Sequence, residues 1–156
     1  MSETSLRRAT AADAAAVRAL TRQAYAKWVE VIGREPKPMG ADYDQAVQRH
    51  RIDLAFCDSE LAGLIEMIPQ LDHLLVENVA VAPAFQKRGL GRRLMAHAEE
   101  VARAFGYESV RLYTNQLFDE NVRLYGRLGY RVDREELTGR GVAVHMSKTL
   151  APSTQA

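Results

Sequence analysis

Cysteine occurs once in 156 residues, so no disulfide framework is available and the fold must rest on its apolar core. That residue, Cys57, sits in the apolar run "DLAFC" and reads as a buried, inert thiol. Charge of one sign is also missing: 21 Lys and Arg face 20 Asp and Glu, a net charge of +1. No global field for nucleic acid exists, and any anion must be held by local groups. No apolar run approaches the length of a membrane span, and the opening "MSETSLRRAT" has no signal-type core, so the expected address is cytoplasmic, off the membrane. The four histidines show no metal-type spacing such as HxxxH, and no metal is expected.

What is present is the composition of one globular domain, with 47% hydrophobic and 26% charged residues. The domain is expected over 1–150, with 151–156 a disordered tail. "SLRRAT" reads as a short edge strand, and Thr10 as the cap of a helix with Asp13 at its third position. Val17, Leu20, Ala24, Trp28 and Val31 recur at helical spacing up to Gly33. "REPKPMGADYDQ" is irregular, with a short helix expected over "YDQAVQRHR". "IDLAFC", "LAGLIEMIP" and "HLLVENVAVAP" are β-type runs joined by short turns, an antiparallel meander. The period then becomes helical in "GLGRRLMAHAEEVARAFG", with Leu90, Leu94, Ala98, Val101 and Phe105 on one face. "SVRLYT" reads as a strand, "FDENVRLYGRLG" as a helix, and "YRVDREE" with "VAVHMSK" as a closing pair. The order βααβββαβαββ predicts an α/β (α+β) domain, a mixed β-sheet flanked by helices, since the crossover between "VENVAV" and "SVRLYT" must be parallel.

The segment "VAVAPAFQKRGLGRRLM" puts bare backbone and positive charge where a helix begins. Unpaired N–H groups and the aligned peptide dipoles make such a terminus a site for phosphate. Gly89 and Gly91 permit close backbone approach, and Lys87, Arg88, Arg92 and Arg93 add charge, so a diphosphate is the natural occupant; the plain alternative is a glycine-rich connection beside solvated arginines. The P-loop spacing with Lys-Ser/Thr is absent, and a dinucleotide fingerprint would need glycine at Leu94.

"QKRGLG" resembles the Q/R-x-x-G-x-G/A signature of the GCN5-related N-acetyltransferase (GNAT) family. "VENVAVAP" before it, the helix after it and "NVRLYGRLGY", similar to the family's later N-x-x-x-Y-x-x-x-G-F/Y segment, extend the likeness to nearly the whole chain. The resemblance implies acetyl-CoA as co-substrate and transfer of its acetyl group, by direct attack, to a primary amine of a small molecule or peptide. It also implies that the strand before the turn splays from the next parallel strand. Val79, Ala80 and Val81 would then offer main chain to the pantetheine arm, and Gln86, Lys87, Arg88, Gly89, Leu90, Gly91 and Arg92 would wrap the pyrophosphate. Packing of the valine side chains in the core is compatible with that role.

Tyr125 matches the family's tyrosine near the cofactor sulfur, and is assigned as general acid as well as cofactor contact; core packing is its other reading. Asn121, one turn earlier, resembles the cofactor-binding asparagine, and Asn115 after "SVRLYT" is a second candidate, or the cap of a turn. Glu77, two residues before Val79, is the candidate base, since similar enzymes place a glutamate there. Strand alternation puts it on one face with Val79 and Val81, a partly desolvated carboxylate, unless it is salt-bridged. His73 and His145 are weaker candidates. The irregular segment with Tyr25, Trp28, Met39 and Tyr43 is expected to shape the acceptor site, with Trp28 equally readable as core. A non-catalytic acyl-CoA-binding regulatory module on the same fold is the competing function. Homodimerisation through sheet edges stays open.

Overall fold

The structure, a computed structural model, describes residues 3–151. The expected tail lies outside them except for Ala151. Seven strands form one sheet in the order β1-β2-β3-β4-β5-β7-β6: β1 Thr4–Arg8, β2 Arg51–Cys57, β3 Glu60–Pro69, β4 Leu74–Val81, β5 Ser109–Asn115, β6 Arg131–Thr138 and β7 Gly141–Thr149. All pairings are antiparallel except β4 with β5, so the sheet is mixed, as the crossover requires. Helices α1 (Ala14–Ile32), α2 (Tyr43–Arg49), α3 (Leu90–Ala104) and α4 (Asp119–Arg127) complete the predicted order.

Each helix adds an apolar stripe to one side of the sheet. Val17, Leu20 and Ala24 of α1 join Tyr43 and Ala46 of α2 over Ile52, Leu54, Leu64 and Ala80. On the other side, Leu90, Leu94, Ala98 and Val101 of α3 and Tyr125 of α4 cover Ile65, Met67, Leu74, Val76, Val110 and Leu112. Val31 and Phe105 depart from expectation at 47% and 50% exposure. Val31 falls in the last turn of α1, and Phe105 lies beyond α3, its ring stacked on Tyr107 at 5.7 Å. Cys57 is half-buried, its Sγ 3.7 Å from the Thr4 hydroxyl.

Caps and close approaches fix where the helices begin. Asp13 accepts from the Thr10 N–H at 2.8 Å and from Arg7 at 2.9 and 3.0 Å, though the first turn is a 3-10 helix, Ala11–Asp13, and α1 starts after it. At Gly63 of β3, a Cβ would stand 3.0 Å from the Ala80 carbonyl oxygen and 3.1 Å from Leu90. Glycine there lets the start of α3 lie directly on the sheet.

Two irregularities in β4 shape everything functional. Pairing with β5 covers Leu74–Val110 to Val76–Leu112 and stops, while β5 continues along β7, so a gap opens beside the second half of β4. A register slip also occurs: Met67 pairs with Val76 but Glu66 pairs with Asn78, leaving Glu77 as an extra, bulged residue.

Candidate active site

The gap leaves β4 backbone without a sheet partner. Ala82 donates to the Ala62 carbonyl at 2.8 Å, which sets the phase of the β3–β4 ladder. By alternation, Ala80 turns its main-chain groups to β3 and Val79 and Val81 turn theirs into the gap. Two of these four groups have partners: the Val79 carbonyl accepts from the Tyr25 hydroxyl at 3.3 Å, and the Val81 carbonyl from Gln86 Nε2 at 2.9 Å. The two N–H groups face the cleft.

Beyond Val81 a 3-10 turn, Pro83–Phe85, leads into the basic segment. Lys87 (φ 64°) and Gly89 (φ 83°) both adopt left-handed backbone as α3 starts, the kind of turn conformation that can form an anion-binding concavity of main-chain N–H groups. For lysine that conformation is strained, a feature found where a turn is held for a ligand.

A cleft of about 660 Å³ runs along the gap and over this turn. Val79, Val81, Gln86, Lys87, Gly89, Leu90, Gly91, Arg92, Asn121 and Tyr125 line it, so most sequence candidates for cofactor contact come together. Three do not. Ala80 is buried against the α1 side and its main chain is committed to β3. Arg88 lies over the Phe85 ring at 5.7 Å. Asn115 caps its own turn, accepting from the Leu117 N–H at 2.9 Å and donating to the Arg140 carbonyl at 3.1 Å. Arg93 is likewise turned away, toward the Thr4 carbonyl at 3.3 Å. The cleft also recruits Lys27, Arg123 and Arg127, which with Lys87 and Arg92 outnumber its one acid, Glu120. Helical spacing on α4 was the signal for Arg123 and Arg127; Lys27 is contributed across the cleft by α1.

Tyr125 is buried at the inner end, edge-on to Tyr130 at 6.2 Å between centroids. Its hydroxyl has no hydrogen-bond partner among the described residues, and burial pushes it up to about 12.

A second cavity, of about 550 Å³, meets the first at Tyr25, which lines both. The β6–β7 turn closes it from above: Arg34 donates to the Gly139 carbonyl, and Arg140 to the Glu35 carbonyl at 3.4 Å. On its floor the Tyr113 hydroxyl donates to Glu77 Oε1 at 2.6 Å and accepts from Lys37 Nζ at 2.7 Å. Lys37 also approaches Glu77 at 3.4 Å. His145 lies beside Tyr113 and contacts Glu136 at 2.9 Å. Glu77 therefore corrects the expectation from alternation. The bulge turns it away from Val79 and Val81, which pack on the α3 side, and into this second cavity.

The residues expected to grip an acceptor separate. Tyr25 stands at the junction, its hydroxyl donating to Asn78 Oδ1 at 3.0 Å, and burial raises it well above an ordinary phenol. Trp28 stacks on Phe118 at 4.5 Å and walls the first cleft instead. Met39 and Tyr43 are core: Met39 is 6% exposed, and Tyr43 is fully buried with its hydroxyl donating to the Pro38 carbonyl at 2.7 Å. His73 pairs with its neighbour Asp72 at 2.8 Å, outside both cavities. Tyr113 and Lys37 went unnoticed. Alternation in "SVRLYT" marks Tyr113, because Val110 and Leu112 point into the core; Lys37, in a proline-flanked turn, carries no such signal.

The model of the acetyltransferase (GNAT) family matches residues 15–130, the stretch from α1 through the cleft to Tyr130. The chain belongs to the GNAT acetyltransferase family. This GNAT chain is 29% identical over 92 residues to the uncharacterized N-acetyltransferase YvbK of Bacillus subtilis, a match over 57% of this chain and 58% of the relative. It is 39% identical over 71 residues to N-alpha-acetyltransferase 80 of Mus musculus, covering 46% of this chain and 21% of that protein. The matches thus span less than two thirds of either relative's length. Among solved structures, PaiA N-acetyltransferase from Thermoplasma acidophilum, in complex with coenzyme A, superposes with a TM-score of 0.78 at 20% identity, over 95% of this chain and 99% of that one.

Proposed function

We propose that this GNAT protein is an acetyl-CoA-dependent N-acetyltransferase acting on the primary amine of a small molecule or peptide. One observation carries the reading: the gap beside β4 exposes the Val79 and Val81 N–H groups and leads into the basic turn at one end and to Glu77, in a separate cavity, at the other. A pantetheine arm fits that gap as a strand would, and the left-handed backbone at Lys87 and Gly89 with the surrounding cations fits a diphosphate. The Thermoplasma neighbour's complex with coenzyme A supports the same choice. Acetyl-CoA supplies an activated acetyl thioester.

The chain's own groups then divide the work. Val79 N–H is placed to support negative charge on the thioester oxygen. Glu77 is the proton acceptor for the entering ammonium; Oε1 is occupied by Tyr113, and Oε2 has no partner among the described residues. Tyr125, at the inner end of the cofactor cleft, would stand near the leaving sulfur. Burial pushes its hydroxyl up to about 12, so it keeps its proton in the free protein. We assign it as the hydrogen-bond donor to the departing thiolate, with solvent supplying the final proton.

The test is a thiol-release screen with acetyl-CoA and primary amines from benzylamine to peptides with a free N-terminus. Amine-dependent release of coenzyme A is expected. Tight coenzyme A binding with no release from any amine would replace this reading with a regulatory acyl-CoA-binding module.

A further inference from the structure

A third cavity, about 250 Å³, lies between α2 and the β3–β4 pair. It shares Lys37, Pro38 and Glu77 with the acceptor-side cavity, so the bulged carboxylate stands in the wall between the two. Deeper in it is Glu66, 4% exposed, on the strand opposite the bulge. Glu66 Oε2 lies 2.6 Å from His50 Nδ1, and the His50 side chain, at the end of α2, is 29% exposed. A buried carboxylate is thus joined to solvent through one imidazole. None of the steps above uses this pair.

Proton bookkeeping gives it a task. At neutral pH an alkylamine arrives as an ammonium; one N–H bond must break, the nitrogen keeps the electron pair for attack, and the proton goes to Glu77. Glu77 then has to lose that proton before the next turnover. The first cleft is filled by the co-substrate and the second by the acceptor, which leaves the third cavity as the open side. We propose that the Glu66–His50 pair is the outlet for the proton that Glu77 takes from the acceptor ammonium; this rests on the acetyltransferase reading. Both act on the chemistry only through Glu77, as positioning residues that set and reset its protonation.

The surroundings are compatible with that role. Burial pushes the Glu66 carboxyl up; the His50 hydrogen bond and charge oppose this, while Glu77 adds to it and Lys37 opposes it. Tyr43 of α2 lines the same cavity with its hydroxyl engaged by the Pro38 carbonyl, and the other charged groups around it are Lys37, Asp42 and Arg49. A proton shared between carboxylate and imidazole over 2.6 Å passes without either group leaving its place.

Two measurements on the full chain test the outlet. Steady-state kinetics with acetyl-CoA and benzylamine or an alanine-initiated hexapeptide should show His50→Ala lowering kcat roughly tenfold, short of the ~10²–10⁴-fold of a direct acid–base group. KM should stay within about twofold, and added imidazole should restore the rate. The second readout is the solvent isotope effect on kcat, which His50→Ala should raise because release of the proton from Glu77 becomes the slow step. A His50→Ala rate loss that imidazole does not relieve, or one that leaves the isotope effect unchanged, overturns the outlet even in an active enzyme. Wild type that releases no thiol with any amine overturns the acetyltransferase reading, and the outlet with it.

Discussion

Replacing Gly89 by alanine separates two quantities that a glycine-rich turn usually confounds, backbone strain and ligand contact. Gly89 has φ 83°, and a Cβ built there meets no protein atom within 4 Å. In the free protein the substitution therefore costs only the left-handed conformation, about 1–2 kcal/mol. For a chain of this size that lowers Tm by roughly 2–8 °C. Gly106 supplies the control: its φ is 81°, its Cβ position is equally empty, and it lies past the other end of the 15-residue α3, about 22 Å away. Gly106→Ala should lose the same stability. Only Gly89→Ala places a methyl group where the turn would meet a diphosphate, displacing at least one charge-assisted hydrogen bond worth about 1.5–3 kcal/mol. Calorimetric titration with coenzyme A should then show a Kd raised about 10- to 150-fold for Gly89→Ala and unchanged for Gly106→Ala. Equal affinity in the two variants, at equal Tm, would show that this turn holds no phosphate.

Tyr125→Phe should leave coenzyme A affinity within about twofold and lower kcat toward the small end of the ~10²–10⁴-fold range, because only a hydrogen bond to the leaving sulfur is lost; single-turnover thiol release measures it, and an unchanged rate removes Tyr125 from the chemistry. Asp53→Asn should cost about 1.5–3 kcal/mol in urea unfolding, since Asp53 Oδ2 accepts from His97 at 2.6 Å and Arg51 at 3.1 Å. Burial raises the Asp53 pKa, but the His97 and Arg51 interactions together outweigh it and leave it lowered. Its contribution is thus complete above the unfolded value near about 3.9 and lost as pH falls through the lower folded value, so wild type and Asp53→Asn should converge in stability in strong acid. Gly63→Ala, with Ala80 and Leu90 at 3.0–3.1 Å from the new methyl, should cost about 1–3 kcal/mol by lifting the start of α3 and should weaken coenzyme A binding as well.

Periodicity carried the elements that have one covered face; β6, exposed at every residue, is the exception. The stripe through Leu90, Leu94, Ala98 and Val101 is visible as spacing, and its partner on the sheet follows from the need to bury it. Phe105 and Val31 continue the spacing but are exposed, Val31 in the last turn of α1 and Phe105 just past the end of α3, where helical pattern alone does not tell whether anything covers them. The basic turn was legible because glycine and cations mark it locally. Tyr25 and Trp28 were both in view as aromatic residues on one helix, yet which cavity each enters depends on how α1 crosses β4, a tertiary fact with no local trace.

The least legible feature is also the one on which the chemistry turns. Alternation along "VENVAV" assigns Glu77 to the valine face, and one inserted residue reverses that assignment. Without the bulge, Glu77 would lie with Val79 and Val81 on the α3 side and put a carboxylate in the cleft wall beside the N–H groups that the cofactor arm requires. With it, the strand faces two ways: its second half offers backbone to one cavity while its middle offers a carboxylate to another. The partner of the bulge is Glu66, so the same irregularity that separates base from cofactor brings the base beside a buried carboxylate with a histidine behind it. Removal of the extra residue would therefore disturb acceptor chemistry, cofactor access and the Glu66–His50 pair together, whereas substitutions at Gly89, Tyr125 or His50 should each disturb one of them.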